Sequence, residues 1–321
     1  MSALLELDNV CVSIGKAALL DGISLRLKPG EILGLVGESG SGKSLTALAA
    51  MGLLPLIGGQ VTAGAVRYAG SDLAAMTEAA RRGLRGRRIG FVAQNPMTAL
   101  DPVQRIGAQI DVVSRLHLGL TKVQARARTL DLMTQLRIPE AAAVAEAWPH
   151  QLSGGMKQRI VIAMALAGDP ELIVADEPTT ALDVTVQAQI IQILATLVRD
   201  RNVALLLITH DMGVVAQICD RVAVLYAGRL AEEGPVDPIF AAPAHPYTAA
   251  LIGCIPQEGM AKGSLRGIPG AVPSPVAYPP GCRFHPRCAR AIEVCATTRP
   301  VLTQTAAQGW VACHLAKAGA A

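Results

Sequence analysis

Short apolar runs alternate with amphipathic stretches along most of the chain. The apolar runs Glu31–Val36, Ile89–Ala93, Glu171–Ala175 and Val203–Ile208 are typical of strands that are buried on both faces. Apolar residues at helical spacing instead predict helices, and these lie over Lys122–Leu136 and Val184–Arg199, with Asp183 placed to cap the second one. Buried strands that alternate with helices favour a mostly parallel sheet, so the predicted fold class is α/β.

The pattern changes in the last part of the chain. Between Ile255 and Pro280, prolines and glycines replace the periodic spacing, which marks a linker or an irregular extension. We expect a second, small module after this segment. That module holds a group of cysteines: Cys282, Cys288, Cys295 and Cys313.

The chain has 321 residues, of which 51% are apolar and 17% are charged, so it can bury a substantial core. The best candidate for a membrane span, Leu45–Ile57, is interrupted by Thr46 and Pro55 and is shorter than the roughly 20 apolar residues that a bilayer requires. The segment Met1–Val10 lacks the basic end and the apolar stretch of a signal peptide. We therefore expect a cytoplasmic protein.

The net charge of +4 is spread along the chain, which argues against a dedicated nucleic-acid surface. One cluster of arginines lies in the segment 81–88, but no aromatic residues are interleaved with it for base stacking. We therefore expect a solvated loop at this cluster and no nucleic-acid partner.

The strand Glu31–Val36 is followed by a glycine-rich loop and then by a helix from about Leu45, which is the arrangement of a P-loop. The glycines let successive N–H groups turn inward, and the helix adds its positive N-terminal end, so the segment suits a polyphosphate. Lys43 can reach the β and γ phosphates, and the Ser44 hydroxyl can ligate Mg²⁺. A plain glycine-rich turn that caps the helix is the alternative. The predicted binding residues are Gly37, Glu38, Ser39, Gly40, Ser41, Gly42, Lys43 and Ser44.

Two carboxylates end the apolar run Leu172–Ala175. A buried parallel strand delivers such residues to the carboxyl edge of the sheet, where ligands of open α/β folds bind. We expect Asp176 to hold Mg²⁺, directly or through water, and Glu177 to orient or deprotonate an attacking water. Alone, the pair would equally suit a cap for the next helix; together with the P-loop it predicts hydrolysis of a nucleotide.

The segment Leu152–Arg159 resembles the signature of ABC ATPases. Other elements of that family occur here in the family's order: Gln94 in the place of the Q-loop, then the signature, Asp176-Glu177, Ala181-Leu182-Asp183 and His210. The resemblance implies two ATPase domains that pack head to tail around ATP and Mg²⁺.

In that arrangement, Ser153-Gly154-Gly155 of one domain closes over the γ-phosphate that the P-loop of the other domain holds. The resemblance also implies that His210 contacts the γ-phosphate, that Gln94 contacts Mg²⁺, and that Asp183 lies at the nucleotide. From the residues alone, a Ser-Gly-Gly turn that opens a helix is a second anion site. The alternative is a plain cap, with Ser153 capping a helix over Met156–Ala167 and binding no ligand.

Two residues depart from the family pattern. Ile14 falls where an aromatic residue usually stacks on adenine, so this position offers packing without a π face. Met156 stands where glutamine is commonest in the signature, but the serine and glycines that face the phosphate are intact. We therefore expect an active site with modest affinity for adenine.

Four segments are similar to the oligopeptide/dipeptide importer branch of the family: Asn95–Pro102, Gly155–Arg159 with the following Ile162–Leu166, His245–Leu251 and Gly281–Cys288. The resemblance implies an ATPase domain over 1–240, with a helical subdomain at about 95–168, and a C-terminal extension over 241–321. It also implies a second ATPase subunit in a heterodimer, two membrane permease subunits and an extracytoplasmic solute-binding protein. The chain would then lie at the cytoplasmic face of the inner membrane and energise uptake of short peptides, or of a related solute such as nickel.

The four cysteines of the tail, Cys282, Cys288, Cys295 and Cys313, lack the tight spacing of a zinc ribbon. In a reducing cytoplasm we do not expect disulfides. Some members of the resembling branch carry a [4Fe–4S] cluster on such a tail, so a cluster, or less readily zinc, is implied here. Buried free cysteines in a small module are the alternative, and a non-transport ABC ATPase with a metal-sensing tail is the rival function.

Overall fold

The computed structural model describes residues 3–179, 183–256, 267–306 and 309–316. The chain divides into two units. The first unit comprises Met1–Leu4, Leu27–Ile32 and Ala75–Ile208, and the second comprises Leu5–Arg26, Leu33–Ala74 and Thr209–Ala321. Both units are therefore assembled from segments that are distant in sequence.

The strands are β1 (Leu5–Ile14), β2 (Ala17–Leu27), β3 (Ile32–Val36), β4 (Gly59–Tyr68), β5 (Ser71–Asp72), β6 (Ile89–Val92), β7 (Leu172–Asp176), β8 (Ala204–Thr209), β9 (Arg221–Tyr226), β10 (Arg229–Pro235), β11 (Thr303–Gln304) and β12 (Trp310–Val311). The helices are α1 (Lys43–Ala50), α2 (Glu78–Leu84), α3 (Pro96–Ala99), α4 (Ile106–Leu118), α5 (Lys122–Gln135), α6 (Ala141–Ala145), α7 (Gly154–Ala167), α8 (Val184–Asp200), α9 (Met212–Ile218), α10 (Val236–Ala241), α11 (Pro246–Gly253) and α12 (Val294–Thr297).

The first unit contains the parallel strands β6, β7 and β8. Val92 pairs with Ala175, and Asp176 pairs with Ile208, so the carboxyl ends of these strands lie at one edge. Every residue of β8 is buried, and so are all but the last of β7, as expected for strands covered on both faces. The parallel pattern and the α/β fold class are confirmed.

Helices α4, α5 and α7 pack together in the helical part of the first unit. Their shared core includes Leu132, Met133 and Ile160, none of which is exposed. Thr121 begins α5 with a capping box: its hydroxyl accepts from the Gln124 N–H at 3.4 Å, and the Gln124 side chain accepts from the Thr121 N–H at 3.0 Å.

The second unit combines antiparallel and parallel strands. One sheet has the order β2-β1-β4-β5. In the other, β3 runs parallel to β9, β9 pairs antiparallel with β10, and the short tail strands continue outward from β10 in the order β12, β11. All residues of β3 are buried, so the strand that leads into the P-loop has a fixed place in the core.

The sequence-based bounds of the strands and of both long helices agree with the structure within about two residues. Asp183 caps α8 as predicted, because its Oδ1 accepts from the Val186 N–H at 2.9 Å. Two helices begin earlier than expected, at Lys43 and at Gly154. None of the helices in the described ranges is long and apolar enough to cross a membrane.

The expectation of a loop at the arginine cluster is wrong, because part of it forms the helix α2. Thr77 caps this helix, its hydroxyl accepting from the Ala80 N–H at 3.3 Å. Glu78 in the first turn forms ion pairs with Arg81, at 3.1 Å, and with Arg85. The helix buries none of its residues, so capping and surface charge pairs hold it in place of an apolar face.

Candidate nucleotide site

The P-loop lies between β3 and α1 in the second unit, and its glycines hold conformations that other residues would strain. Gly42 has a φ of +104°, and a Cβ there would lie 2.5 Å from the Leu20 side chain. A Cβ at Gly37 would lie 2.2 Å from the Leu225 carbonyl oxygen, which belongs to backbone and cannot yield. These two positions therefore require glycine, and the loop stays close to the sheet.

The polar groups of the loop converge on its interior. The buried Lys43 ammonium donates to the Gly37 carbonyl at 2.7 Å and to the Glu38 carbonyl at 3.1 Å. The buried Ser41 hydroxyl has no hydrogen-bond partner among the described residues. Ser44 is exposed at the start of α1, where N–H groups and the helix dipole favour an anion. An ammonium, an unsatisfied hydroxyl and a helix N-terminus fit a nucleotide polyphosphate with Mg²⁺.

The first unit holds the predicted acids at the carboxyl edge of its strands. Asp176 is the last residue of β7 and is half-buried. Glu177 has a φ of +44°, a left-handed conformation that costs a non-glycine residue on the order of 1 kcal/mol. Its N–H donates to the Ile208 carbonyl at 2.9 Å. This strained backbone aims the Glu177 side chain away from the direction that a continued strand would give it.

Gln94 meets Glu177 directly. It follows β6, and its Nε2 donates to Glu177 Oε2 at 3.0 Å. The carboxyl edge of parallel strands explains this meeting, because β6 and β7 are neighbours. The structure thus brings together two residues that the sequence places 83 positions apart.

The signature turn opens α7 in the first unit. Ser153 caps the helix, its hydroxyl accepting from the Met156 N–H at 3.3 Å. A Cβ at Gly155 would lie 2.7 Å from the Val186 side chain, so a side chain larger than hydrogen would push α8 away. A cavity of about 430 Å³ lies over the turn and is lined by Ser153, Gly154, Gly155, Met156, Asp183 and Val186 among others. Ser153 therefore caps the helix and also faces an open cavity, which leaves both sequence-based interpretations standing.

The remaining predicted residues belong to other parts of the two units. His210 is exposed directly after β8 and belongs to the second unit. Ile14 is half-buried at the end of β1, also in the second unit. Ala181 and Leu182, which precede Asp183 in the family-like segment, lie outside the described residues.

Two residues that the sequence did not single out as site residues contact the P-loop. Arg287 forms a paired hydrogen bond with the Glu38 carboxylate, and the Tyr247 hydroxyl accepts from the Glu38 N–H at 2.8 Å. Tyr247 and Arg287 lie in the segments His245–Leu251 and Gly281–Cys288, which resemble the importer branch. No spacing rule relates either residue to the P-loop, so pattern analysis had no signal for this contact.

The four tail cysteines are free thiols, and those of Cys288, Cys295 and Cys313 lie close enough to act on Cys282. Burial raises the pKa of Cys282, and the nearby thiols of Cys295, Cys313 and Cys288 raise it further. Burial also raises the pKa of Cys313. Within the part of the chain that the structure describes, no three His, Cys, Asp or Glu side chains are arranged to hold a metal ion. The described residues therefore give no support to the expected iron–sulfur or zinc site.

Two histidines that could replace a cysteine ligand are bonded elsewhere. His285 Nδ1 lies 2.8 Å from the Cys282 carbonyl oxygen, and His314 Nε2 lies 2.9 Å from the Thr298 carbonyl oxygen. Each ring is thus oriented by a backbone carbonyl.

Comparison with known proteins identifies the family. Residues 20–180 match the model of the ABC transporter family, and residues 231–295 match the model "Oligopeptide/dipeptide transporter, C-terminal region". The chain belongs to the ABC transporter ATP-binding family. It is an ATPase, its substrate is ATP with Mg²⁺, and proteins of this class act with membrane permease subunits.

Relatives of this ABC ATPase match it over nearly its whole length. It is 44% identical to the dipeptide transport ATP-binding protein DppD of Escherichia coli (strain K12), over 97% of this chain and 96% of that protein. It is 42% identical to the oligopeptide transport ATP-binding protein AppD of Bacillus subtilis (strain 168), over 98% of this chain and 97% of that one.

A solved structure of a dimeric ATP-binding cassette bound to ADP and phosphate has a TM-score of 0.63 and 28% identity, covering 72% of this chain and 98% of that one. The ABC ATPase fold is therefore confirmed. The oligopeptide/dipeptide model matches residues 231–295, which include Cys282, Cys288 and Cys295 of the tail but not Cys313.

Proposed function

We propose that this chain energises the uptake of short peptides through an ABC importer, as a peripheral subunit at the cytoplasmic face of the inner membrane. The observation that carries the proposal is its similarity, at 42–44% identity over nearly the whole chain, to dipeptide and oligopeptide transport subunits. The match of residues 231–295 to the peptide-transporter C-terminal model supports the same branch. Uptake of a related solute such as nickel is the alternative within that branch.

In this proposal the chain's own residues position ATP for in-line attack by water. Lys43 and the N–H groups of the P-loop bind the β and γ phosphates, while Ser44 and Asp176 hold Mg²⁺. Glu177 orients or deprotonates the attacking water. The 3.0 Å hydrogen bond from Gln94 holds the Glu177 carboxylate, so Gln94 positions the base in addition to its contact with Mg²⁺. His210 contacts the γ-phosphate, and Ile14 packs against adenine.

The signature turn serves a second copy of the domain. We place Ser153, Gly154, Gly155 and Asp183 over the γ-phosphate of the nucleotide held by a partner ATPase. The open cavity at this turn and the dimeric, nucleotide-bound relative support this assignment. In the proposed complex the partner is a second, homologous ATPase subunit, and two permease subunits and an extracytoplasmic solute-binding protein complete the importer.

Domain boundaries follow from the same proposal. We assign an ATPase domain to 1–240, with a helical subdomain at about 95–168 that contacts the permease, and a C-terminal extension to 241–321. The helices α4, α5 and α7 in the helical segment support this assignment, as does the start of the second family match at residue 231.

ATP turnover by the reconstituted complex tests the function. The complex of chain, partner ATPase, permease and binding protein is assayed with a panel of short peptides and with a nickel salt. Peptides should stimulate hydrolysis, and Glu177→Gln should lower turnover on the order of a hundredfold or more because the water loses its base. Glu293→Gln, at an exposed glutamate of the tail, is the matched control and should match wild type.

The outcomes separate the parts of the proposal. Stimulation by nickel alone would identify the alternative cargo. Turnover that ignores every solute and the permease would refute import and favour a non-transport ATPase with a sensing tail. Full activity of Glu177→Gln would refute the role of that carboxylate.

A metal-binding tail is a further part of the proposal. Four thiols lie close together, since those of Cys288, Cys295 and Cys313 all act on that of Cys282. Thiolates are the form of cysteine that ligates iron–sulfur clusters or zinc, so metal binding would have to deprotonate thiols whose pKa is raised by burial at Cys282 and Cys313. Analysis of iron, sulfide and zinc in anaerobically purified protein decides the matter, and the absence of all three would refute it.

A further inference from the structure

The tail of the chain contacts the P-loop at Glu38. The Arg287 guanidinium donates to both carboxylate oxygens of Glu38, through Nη1 at 2.7 Å and through Nη2 at 2.9 Å. The Arg287 side chain is only 5% exposed, and that of Glu38 is 29% exposed. A paired, nearly buried Arg–carboxylate contact is the strongest geometry that these two side chains can adopt.

Other contacts fix the orientation of the Arg287 guanidinium. Its Nε donates to the Pro269 carbonyl at 2.8 Å, Nη2 donates to the Ile268 carbonyl at 3.1 Å, and Nη1 donates to the Tyr226 hydroxyl at 3.2 Å. Because its donors are engaged from several sides, the guanidinium has little freedom to turn. Arg287 therefore presents Glu38 with a rigid partner.

A second residue of the tail orients the backbone of Glu38. Tyr247 is fully buried, and its ring packs edge-on against Tyr226, with centroids 4.6 Å apart. Its hydroxyl accepts from the Glu38 N–H at 2.8 Å. The Glu38 carbonyl in turn accepts from Lys43 Nζ at 3.1 Å. The N–H, the side chain and the carbonyl of Glu38 are thus each held, two of them by the tail and one by the phosphate-binding lysine.

The segment 281–288, which carries Arg287, is anchored to the same unit independently. Arg283, four residues earlier, donates to the Asp21 carboxylate at 3.0 Å and to the Ala227 carbonyl. Arg229 and Arg299 also contact Asp21, at 2.8 Å and 3.0 Å. Loss of the Glu38 contact alone should therefore leave this segment in place.

We propose that Arg287 and Tyr247 are positioning residues of the P-loop, through which the C-terminal extension sets the conformation of the loop and hence the affinity for MgATP. A loop already held in its binding conformation loses less entropy when the phosphates bind. The proposal rests on the proposed function only in taking the P-loop as the ATP site. It predicts that contacts more than 200 residues away in sequence control nucleotide affinity.

Equilibrium binding of MgATP to the full chain tests the proposal, in the Glu177→Gln background so that hydrolysis does not interfere. Arg287→Ala should raise the Kd about tenfold, and Arg287→Lys should raise it less, since an ammonium keeps the charge but loses the fork. Tyr247→Phe keeps the buried ring and removes only the acceptor, and should raise the Kd several-fold. Arg290→Ala, at an exposed arginine of the same module, is the control and should bind as the parent does.

A double-mutant cycle separates positioning from simple tethering. If Glu38 and Arg287 act as a unit, Glu38→Gln combined with Arg287→Ala should weaken binding no more than the worse single change. Additive losses would overturn the proposal. So would a lowered thermal midpoint with an unchanged Kd in Arg287→Ala and Tyr247→Phe, because the contact would then serve stability alone.

The failures of the two proposals are distinguishable. If the parent protein does not bind MgATP, the proposed function fails. If the parent binds and both positioning variants bind equally well, only this inference fails. Should Arg287→Ala not fold, Tyr247→Phe decides the question, because it leaves the buried packing intact.

Discussion

His245 makes the stability of this protein sensitive to mild acid. The residue is buried, its Nδ1 accepts from the Tyr247 N–H at 3.0 Å, and burial lowers its pKa to about 4. In the unfolded chain the ring titrates near its ordinary value of about 6.5. As the pH falls below that value, the His245 ring binds a proton in the unfolded chain but stays neutral in the folded protein. Stability is therefore fully present above about pH 6.5 and is lost as the pH falls towards 4.

The size of the effect follows from the two pKa values. At about pH 5 the unfolded ring is almost fully protonated and the folded ring is almost fully neutral, which costs roughly 2 kcal/mol of stability. His245→Asn removes the titration while the Asn side-chain oxygen can still accept from the Tyr247 N–H. Between about pH 7.5 and about pH 5, the free energy of unfolding of the variant should fall by about 2 kcal/mol less than that of wild type.

Urea unfolding at the two pH values measures this difference. Trp148→Phe leaves Trp310 as the only tryptophan, so its fluorescence reports on the second unit, which contains His245. Burial raises the pKa of Glu232, whose carboxylate accepts from the His245 N–H, and this group acts in the opposite direction. Glu232 is present in both wild type and His245→Asn, so its contribution to the pH dependence of the unfolding free energy cancels to first order in the comparison. Equal losses in wild type and His245→Asn would refute the reasoning.

Two further changes test the local geometry. Gly37→Ala should abolish ATP turnover and destabilise the second unit, because its Cβ would lie 2.2 Å from the Leu225 carbonyl oxygen; near-normal hydrolysis would show that the loop can move away from the strand. Thr121→Ala removes the capping box of α5 and should cost about 1 kcal/mol in urea unfolding, whereas Thr121→Ser should cost less because the hydroxyl remains.

The strands and the acids at their ends could be predicted from the sequence, because the cause is local. Strands such as β7 and β8 are buried on both faces, so each appears in the sequence as a continuous apolar run. Parallel strands bring their carboxyl ends to one edge, so strand order explains the hydrogen bond between Gln94 and Glu177, although the sequence did not predict that bond. The left-handed backbone of Glu177 had no such signal, because it depends on the contacts around it.

Structural features that depend on charge pairs or on contacts between distant residues could not be predicted from the sequence. Helix α2 buries no residue, so it has no apolar period to find, and only the Thr77 cap and the pairs with Glu78 mark it. The contact between Arg287 and Glu38 joins positions 249 apart, and nothing in the local pattern tells an arginine which acid it will meet. Cysteine spacing likewise shows that thiols can gather, but not how their side chains point.

The short strands β11 and β12 cover the edge strand β10 in the sheet of the second unit. Glu232 and Glu233 of β10 pair with Val311 and Trp310, so the middle of that side of β10 is paired within the molecule. Without them, β10 would offer a row of open donors and acceptors on which another extended chain could add itself. A truncated variant that ends before β11 should therefore be prone to self-association, because the backbone edge of β10 would be exposed.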